Sequence, residues 1–272
     1  MISDTNKETK VYFTVCVAVM RRNFKLIIII IIVSTVVILS ISATNYQKQS
    51  TLLREEIFDK CKMIALELKY TREYLAETVA IANLQHHEEA RGLMPAIAGS
   101  AIGKKFYDAT GYQLRQVSSK YRNPKNKPDK FEEEALLEFG KDGNLSEYKG
   151  VDKINGQKVL RYLIPLYIEE ACLKCHSAKE TIPEFIQEDY PEDKATDYMF
   201  GDLRGAISVI VPIDRAEAEI KGNLIHMTIV TTAGLTFLVT FIAIAINITI
   251  KKTEKANKVT VQPNQQRRKE PQ

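Results

Sequence analysis

Two thiols and an imidazole stand together at Cys172, Cys175 and His176, in the order Cys-x-x-Cys-His. The two intervening residues let each sulfur reach a different vinyl group of one haem, and a histidine directly after the second cysteine is placed to bind the iron. The spacing therefore predicts covalent haem c, one per chain, with His176 as the proximal iron ligand. A zinc ribbon would need a second cysteine or histidine pair at ligand spacing, but the other cysteines, Cys16 and Cys61, are solitary and far apart. A thioredoxin-like dithiol normally opens a helix after a buried strand, and histidine does not usually follow it.

The sixth position on the iron is open to four side chains: His86, His87, Met94 and Cys61. His86 and His87 lie in the polar run NLQHHEEARG, where an exposed histidine is the ordinary outcome. Met94 otherwise serves as core filler, and Cys61 falls on an apolar helix face where a buried, inert thiol is the stronger reading. The choice matters, because thiolate lowers the potential, methionine raises it, and a vacant position binds NO, CO or O₂. Arg115, Arg161 and Arg204 are candidates for the haem propionates, since guanidinium binds carboxylate in a bidentate fork.

Two apolar runs decide where such a site would sit. Residues 26–43 form an uncharged, mostly apolar stretch, and residues 224–250 form another broken only by His226, Asn247 and threonines. Each is long enough to cross a bilayer. The long basic segment before the first run favours a retained anchor over a cleaved signal peptide. Before the first run and after the second lie twelve basic residues against four acidic, a net of +8, while residues 45–223 carry a net of −4. Positive ends belong in the cytoplasm. The expected topology is thus a two-pass protein of the bacterial cytoplasmic (inner) membrane with its middle segment on the periplasmic side, where haem c is attached. His226 lacks a facing histidine in the first span, so a membrane haem is not expected. The basic ends are explained by lipid headgroups, so the overall +4 predicts membrane lipid and no nucleic acid as partner.

Those expectations divide the chain into a cytoplasmic tail (1–25), a first span (26–44), a long extracytoplasmic helical segment (45–94), a haem domain (95–213), a linker helix with the second span (214–250) and a basic tail (251–272). Apolar positions recur at steps of four and three from Gln47 to Ala82, a helical period that suits either a homodimer seam or a support for the domain. Capping pairs Asp129/Glu132, Thr181/Glu184 and Asp214/Glu217 predict three further helix starts. Residues 158–168 and 205–213 read as strands, with Pro165 and Pro212 marking edges, ends or bulges, and Asn155-Gly156 reads as a hairpin turn. Strands flanked by helices indicate an α+β domain. The acidic runs Glu132–Glu134, Glu169-Glu170 and Glu188-Asp189 read as solvated surface.

From GYQLRQVSSKYRNPKNKPDKFEEEALLEF through VLRYLIPLYIEEACLKCH to DYPEDKATDYMFGDLRGAISVIVPI, the chain resembles a family of extracytoplasmic, PAS-like c-type haem domains, formerly grouped as domains of unknown function. The shared elements are residues 114–118, Arg122-Asn123-Pro124 with Asn126 and Pro128, the Cys172–His176 motif, Tyr190-Pro191 and Gly201–Ser208. The resemblance covers roughly residues 95–213. It implies an α+β fold with a PAS-like antiparallel sheet, and a role in redox or small-gas sensing, because members occur alone or as sensor domains of histidine kinases and chemoreceptors. In single-domain members a cysteine on the preceding helix is the distal ligand. This chain has Met94 and Pro95 near that place, so the ligand does not carry over.

Two functions compete on these grounds. One is a membrane-anchored haem sensor that signals through a separate protein, since the tail after Ile250 is too short for a kinase or cyclase. The other is a monohaem c-type cytochrome that carries electrons to a redox partner at the membrane surface. No constellation of acid, base and nucleophile predicts an enzyme.

Overall fold

The structure, a computed structural model, describes residues 3–84 and 87–267, with side chains from 25 to 84 and from 87 to 252. In chain order the elements are α1 (Ser3–Ile81), α2 (Pro95–Thr110), β1 (Gln113–Val117), α3 (Lys130–Lys141), β2 (Tyr148–Ile154), β3 (Gln157–Tyr167), α4 (Glu170–His176), α5 (Glu184–Asp189), β4 (Leu203–Pro212) and α6 (Asp214–Arg267). A 3₁₀ turn over Glu88–Leu93 precedes α2. By its contacts the chain forms two units, one drawn from its two ends and the other from Ser50–Ala218.

In the first unit, α1 and α6 are each long and apolar enough to cross a membrane, and their apolar windows bury nothing against protein. Hydroxyls in these segments such as Ser34 and Thr35 are satisfied within their own helices. Ser34 donates to the Ile30 carbonyl at 2.7 Å and Thr35 to that of Ile31 at 2.8 Å, the i−4 pattern by which such residues avoid an unpaired hydroxyl in an apolar setting. One hydroxyl pair links the helices, Ser42 with Thr228 at 2.7 Å.

The second unit is built on a four-stranded antiparallel sheet in the order β1-β4-β3-β2. Period-2 alternation gives the sheet two faces. Leu160, Tyr162 and Ile164 of β3, with Ile207, Val209 and Val211 of β4, pack against Phe58, Cys61, Ala65 and Leu68 of α1. On the other face Leu163 and Ala206 meet Ala135, Leu136 and Phe139 of α3. Each large apolar side chain so buried contributes about 1.5–3 kcal/mol, which makes the sheet the platform for everything else. This is the α+β architecture expected, with helices on both faces.

Local signals explain the element ends. The α3 start is a full capping box: Asp129 accepts from the Glu132 N–H and Glu132 from the Asp129 N–H, each at 3.0 Å. Asn155 and Gly156 both have positive φ, 51° and 81°, as a tight hairpin turn between twisted strands requires. Pro165 sits in a strand with partners on both sides, but β2 ends opposite Leu163, so its missing N–H faces no ladder.

Four expectations need correction. The helix α1 ends at Ile81, and 95–110, which the periodicity did not mark, forms α2. Thr181 does not cap α5. It ends a 3₁₀ turn and bonds to Ser177 and Ala178, while α5 starts after Pro183. The Asp214/Glu217 pair marks the start of α6, but its carboxylates reach sideways. Asp214 accepts from the Lys158 N–H, and Glu217 pairs with Lys158 at 2.6 Å and Arg54 at 2.8 Å. Glu132 is not solvated surface. Its side chain is wholly buried, 3.1 Å from the Arg161 guanidinium.

Candidate haem site

The Cys-x-x-Cys-His run forms α4, which puts Cys172 and Cys175 one turn apart on one face of a short helix. The following loop folds back along it: the N–H groups of Asp197 and Tyr198 donate to the carbonyls of Ser177 and His176 at 3.0 and 3.2 Å. Ile168, Ala195 and Tyr198 pack under Cys172 and Leu173. The Ala195 carbonyl lies 2.7 Å from His176 Nδ1. A carbonyl only accepts, so Nδ1 carries the proton and Nε2 keeps its lone pair. Burial holds the His176 pKa well below its ordinary value, and the charges of Arg204 and Arg122 add to that. The imidazole is therefore neutral, tautomerically fixed and ready to donate from Nε2, as an iron ligand must be.

All three motif residues line a cavity of about 460 Å³. That lies within the range of about 300–1,000 Å³ typical of cofactor sites. Its other walls come from α1, the 3₁₀ turn with Met94, α2, the Arg122–Asn126 loop, α5 and Arg204 of β4. Four arginines line it, of which Arg91 is paired with Asp189 at 3.0 Å. Arg122 is paired with Asp193 at 2.7 Å and also donates to the Cys175 carbonyl at 2.7 Å. Arg72 donates to the Pro95 carbonyl at 3.1 Å, and Arg204 to the Ser118 hydroxyl at 2.8 Å. Neither Arg72 nor Arg204 forms an ion pair with a carboxylate among the described residues. Burial pushes the Arg72 pKa down to about 10 and lowers that of Arg204. Two half-buried guanidiniums without an ion-pair partner at one cavity suit a ligand that brings negative charge.

These features fit haem: two thiols, a fixed imidazole, an apolar chamber and two unpaired guanidiniums for two propionates. Among the described residues no three His, Cys, Asp or Glu side chains are placed to hold a metal ion by themselves. A protein-only zinc centre at Cys172 is therefore not formed from them.

Residues 47–212 match the sequence model of the Tll0287-like family. The chain belongs to that family. Among solved structures it is similar to the cyanobacterial heme-protein Tll0287, at 31% identity over 58% of this chain and 95% of that one, with a TM-score of 0.49. No curated protein matches it.

Of the distal candidates, Met94 is buried and lines the cavity. His87 is exposed and stands outside the lining, and His86 lies outside the described residues. Cys61 belongs to the core between α1 and the sheet, where burial raises its pKa to about 12. Of the arginines singled out from sequence, only Arg204 reaches the cavity. Arg161 is held by Asp129, Asp152 and Glu132, and Arg115 stands 3.6 Å from Glu132. The sequence singles out neither Arg72 nor Asp193, and Arg122 only as one of the residues shared with the family, with no role. A signal for Arg72 existed: it follows Cys61, Ala65 and Leu68 at helical spacing, so a charge stands where the buried stripe calls for an apolar residue.

Proposed function

We propose that the chain is a membrane-anchored c-type haem-binding protein whose PAS-like extracytoplasmic domain senses redox state or a small gas. One observation carries this reading: Cys172, Cys175 and a His176 fixed by the Ala195 carbonyl share a cavity with two unpaired guanidiniums. Each thiol would add its sulfur and hydrogen across one vinyl double bond, His176 Nε2 would hold the iron, and Arg72 and Arg204 would take the propionates. When bound, haem supplies an iron whose oxidation state and sixth ligand can change.

The chain's own residues give that change a path outward. Arg72 on α1, Arg204 on β4 and Met94 before α2 all border the cavity. Glu217, at the start of α6, grips both Arg54 of α1 and Lys158 of β3. A shift of the sheet relative to α1 must strain that junction, through which both long helices are addressed. The apolar windows of α1 and α6 and the basic ends of the chain support an anchor in the inner membrane, with the domain in the periplasm. Membrane lipid and a separate signalling protein are the partners this reading requires, and no catalytic step belongs to it.

The test uses the full chain made in cells that mature c-type cytochromes. A pyridine haemochrome spectrum with two thioether bonds, lost stepwise in Cys172→Ala and Cys175→Ala, is expected. Covalent haem surviving both substitutions overturns the attachment. Hydrogen exchange at the Arg54–Glu217 junction should differ between ferric, ferrous and CO-treated protein. Identical exchange in all three, with rapid electron exchange to a periplasmic donor, replaces sensing with electron carriage.

A further inference from the structure

We infer that Met94 is the sixth ligand and that a small π-acceptor gas, CO or NO, displaces it. This rests on the haem reading and names what completes the iron. Among the described residues, four imidazole or sulfur side chains line the cavity: Cys172, Cys175, His176 and Met94. The first two are committed to thioethers and His176 to the proximal bond. Met94 alone is left.

Its position is well fixed. The Met94 N–H donates to the Arg91 carbonyl at 3.1 Å, closing the 3₁₀ turn, and its carbonyl accepts from Ile97 and Ala98 at 2.9 Å, opening α2. Pro95 at the first helical position sets the entry angle. In turn α2 lies against β1 with Gly99 facing the end of the Gln116 side chain and Gly103 facing the Leu114 carbonyl, which leaves no room for a β-carbon. The backbone is thus anchored, while the methionine side chain keeps three rotatable bonds with which to reach or release the iron. At 7% exposure it sits out of bulk water.

The alternatives are worse placed. Lys69 is paired with Glu73 at 3.5 Å, His87 is exposed beyond the lining, and Cys61 points into a different core. Tyr190 lines the cavity but ligates only as a phenolate, a hard anionic oxygen, whereas a thioether ligates without losing any proton. A neutral, soft sulfur favours ferrous iron, and its bond is the kind that CO and NO compete with. Arg91, three residues before Met94, grips Asp189 of α5 at 3.0 Å and lies over the Phe185 ring, which fixes the turn that carries Met94 against α5.

The experiment compares full-length haem-loaded wild type with Met94→Leu, which is close in volume, and Met94→His, which restores a ligand of another type. Wild type should show the weak far-red charge-transfer band of a methionine–ferric iron bond. Met94→Leu should lose the band, bind CO faster and have a lower potential. Met94→His should be low-spin without the band. A wild type lacking the band, or a Met94→Leu protein retaining the wild-type spectrum and potential, overturns the inference. So does loss of the six-coordinate signal in His86→Ala, His87→Ala or Tyr190→Phe with Met94 intact. The haemochrome assay on the same samples reports separately whether haem is attached, so failure of ligation is distinguishable from failure of the haem reading.

Discussion

Arg122 Nε and Asp193 Oδ2 meet at 2.7 Å with the Asp193 side chain wholly buried, and this pair holds the His176 side of the cavity. The other oxygen of Asp193 accepts from the Ala195 N–H at 2.8 Å, and the Ala195 carbonyl accepts from His176. Arg122 meanwhile holds the Cys175 carbonyl. One ion pair therefore fixes both the helix that carries the thiols and the loop that orients the imidazole.

Asp193→Ala should leave Arg122 uncompensated and lower stability by about 3–5 kcal/mol, the usual cost of breaking a buried pair from one side. Denaturant unfolding of the full chain in detergent measures it. An Arg122→Leu, Asp193→Leu double variant should regain much of that stability yet keep a disturbed iron spectrum, because the Ala195 bond is still missing. A double variant with a wild-type spectrum would show that Asp193 does not orient His176.

Cys61 gives a prediction in alkali. Its thiol is wholly buried on α1 and burial raises its pKa from 9.0 to about 12. A raised folded pKa means that the unfolded chain deprotonates first. Stability is then intact below pH 9 and falls as pH rises towards 12, by up to about 1.4 kcal/mol per unit. In Cys61→Ala that alkaline loss should shrink, measured by denaturant midpoints at pH 8 and pH 10.5. Native protein at pH 8 should also resist iodoacetamide at Cys61 while unfolded protein reacts. Rapid alkylation of the native thiol would refute its burial.

What the sequence made legible was local. Asp129 with Glu132, Asn155-Gly156 and Cys172 to His176 each interact within a few residues, so their spacing alone carries the structure. The cavity's charges are not local. Arg72 and Arg204 are brought to one cavity by a helix and a strand 132 residues apart in the chain, and Asp193 acts on His176 through a backbone carbonyl that no side-chain motif records. Glu132 looked like surface because it begins an acidic run. The guanidiniums of Arg161 on β3 and Arg115 on β1, both distant in sequence, explain its burial. Helix α2 was hidden for a different reason: its two packing glycines each lower helix propensity by about 1 kcal/mol, and tertiary contact with β1 overrides that.

Gly103 tests that contact. A β-carbon there would run into the Leu114 carbonyl, which is backbone and cannot swing away. Gly103→Ala should therefore lose about 1–3 kcal/mol through overpacking, despite alanine's better helix propensity. Gly140, near the end of α3, has open space around it and should tolerate alanine with little change or a gain. Equal stabilities for the two variants, read as thermal midpoints, would mean that α2 can step away from β1 at no cost.

Arg72 and Arg204 should set the iron's potential through their charge. A positive charge near the iron disfavours its oxidised form, and the effect is large where solvent screening is poor. Arg72→Leu and Arg204→Leu should each lower the midpoint potential, and the double variant should lower it further. Arg72 also holds the Pro95 carbonyl beside Met94, so Arg72→Leu alone could act by loosening that turn. Arg72→Lys separates the two effects: it keeps the charge and should keep most of the potential, even though the fork geometry is lost. Arg115→Leu, outside the cavity lining and facing Glu132, is the control and should leave the potential unchanged. Potentiometric titration of the five variants beside wild type decides the matter. A shift in Arg115→Leu equal to that in Arg72→Leu would reduce the effect to overall charge and remove the cavity arginines from the haem site.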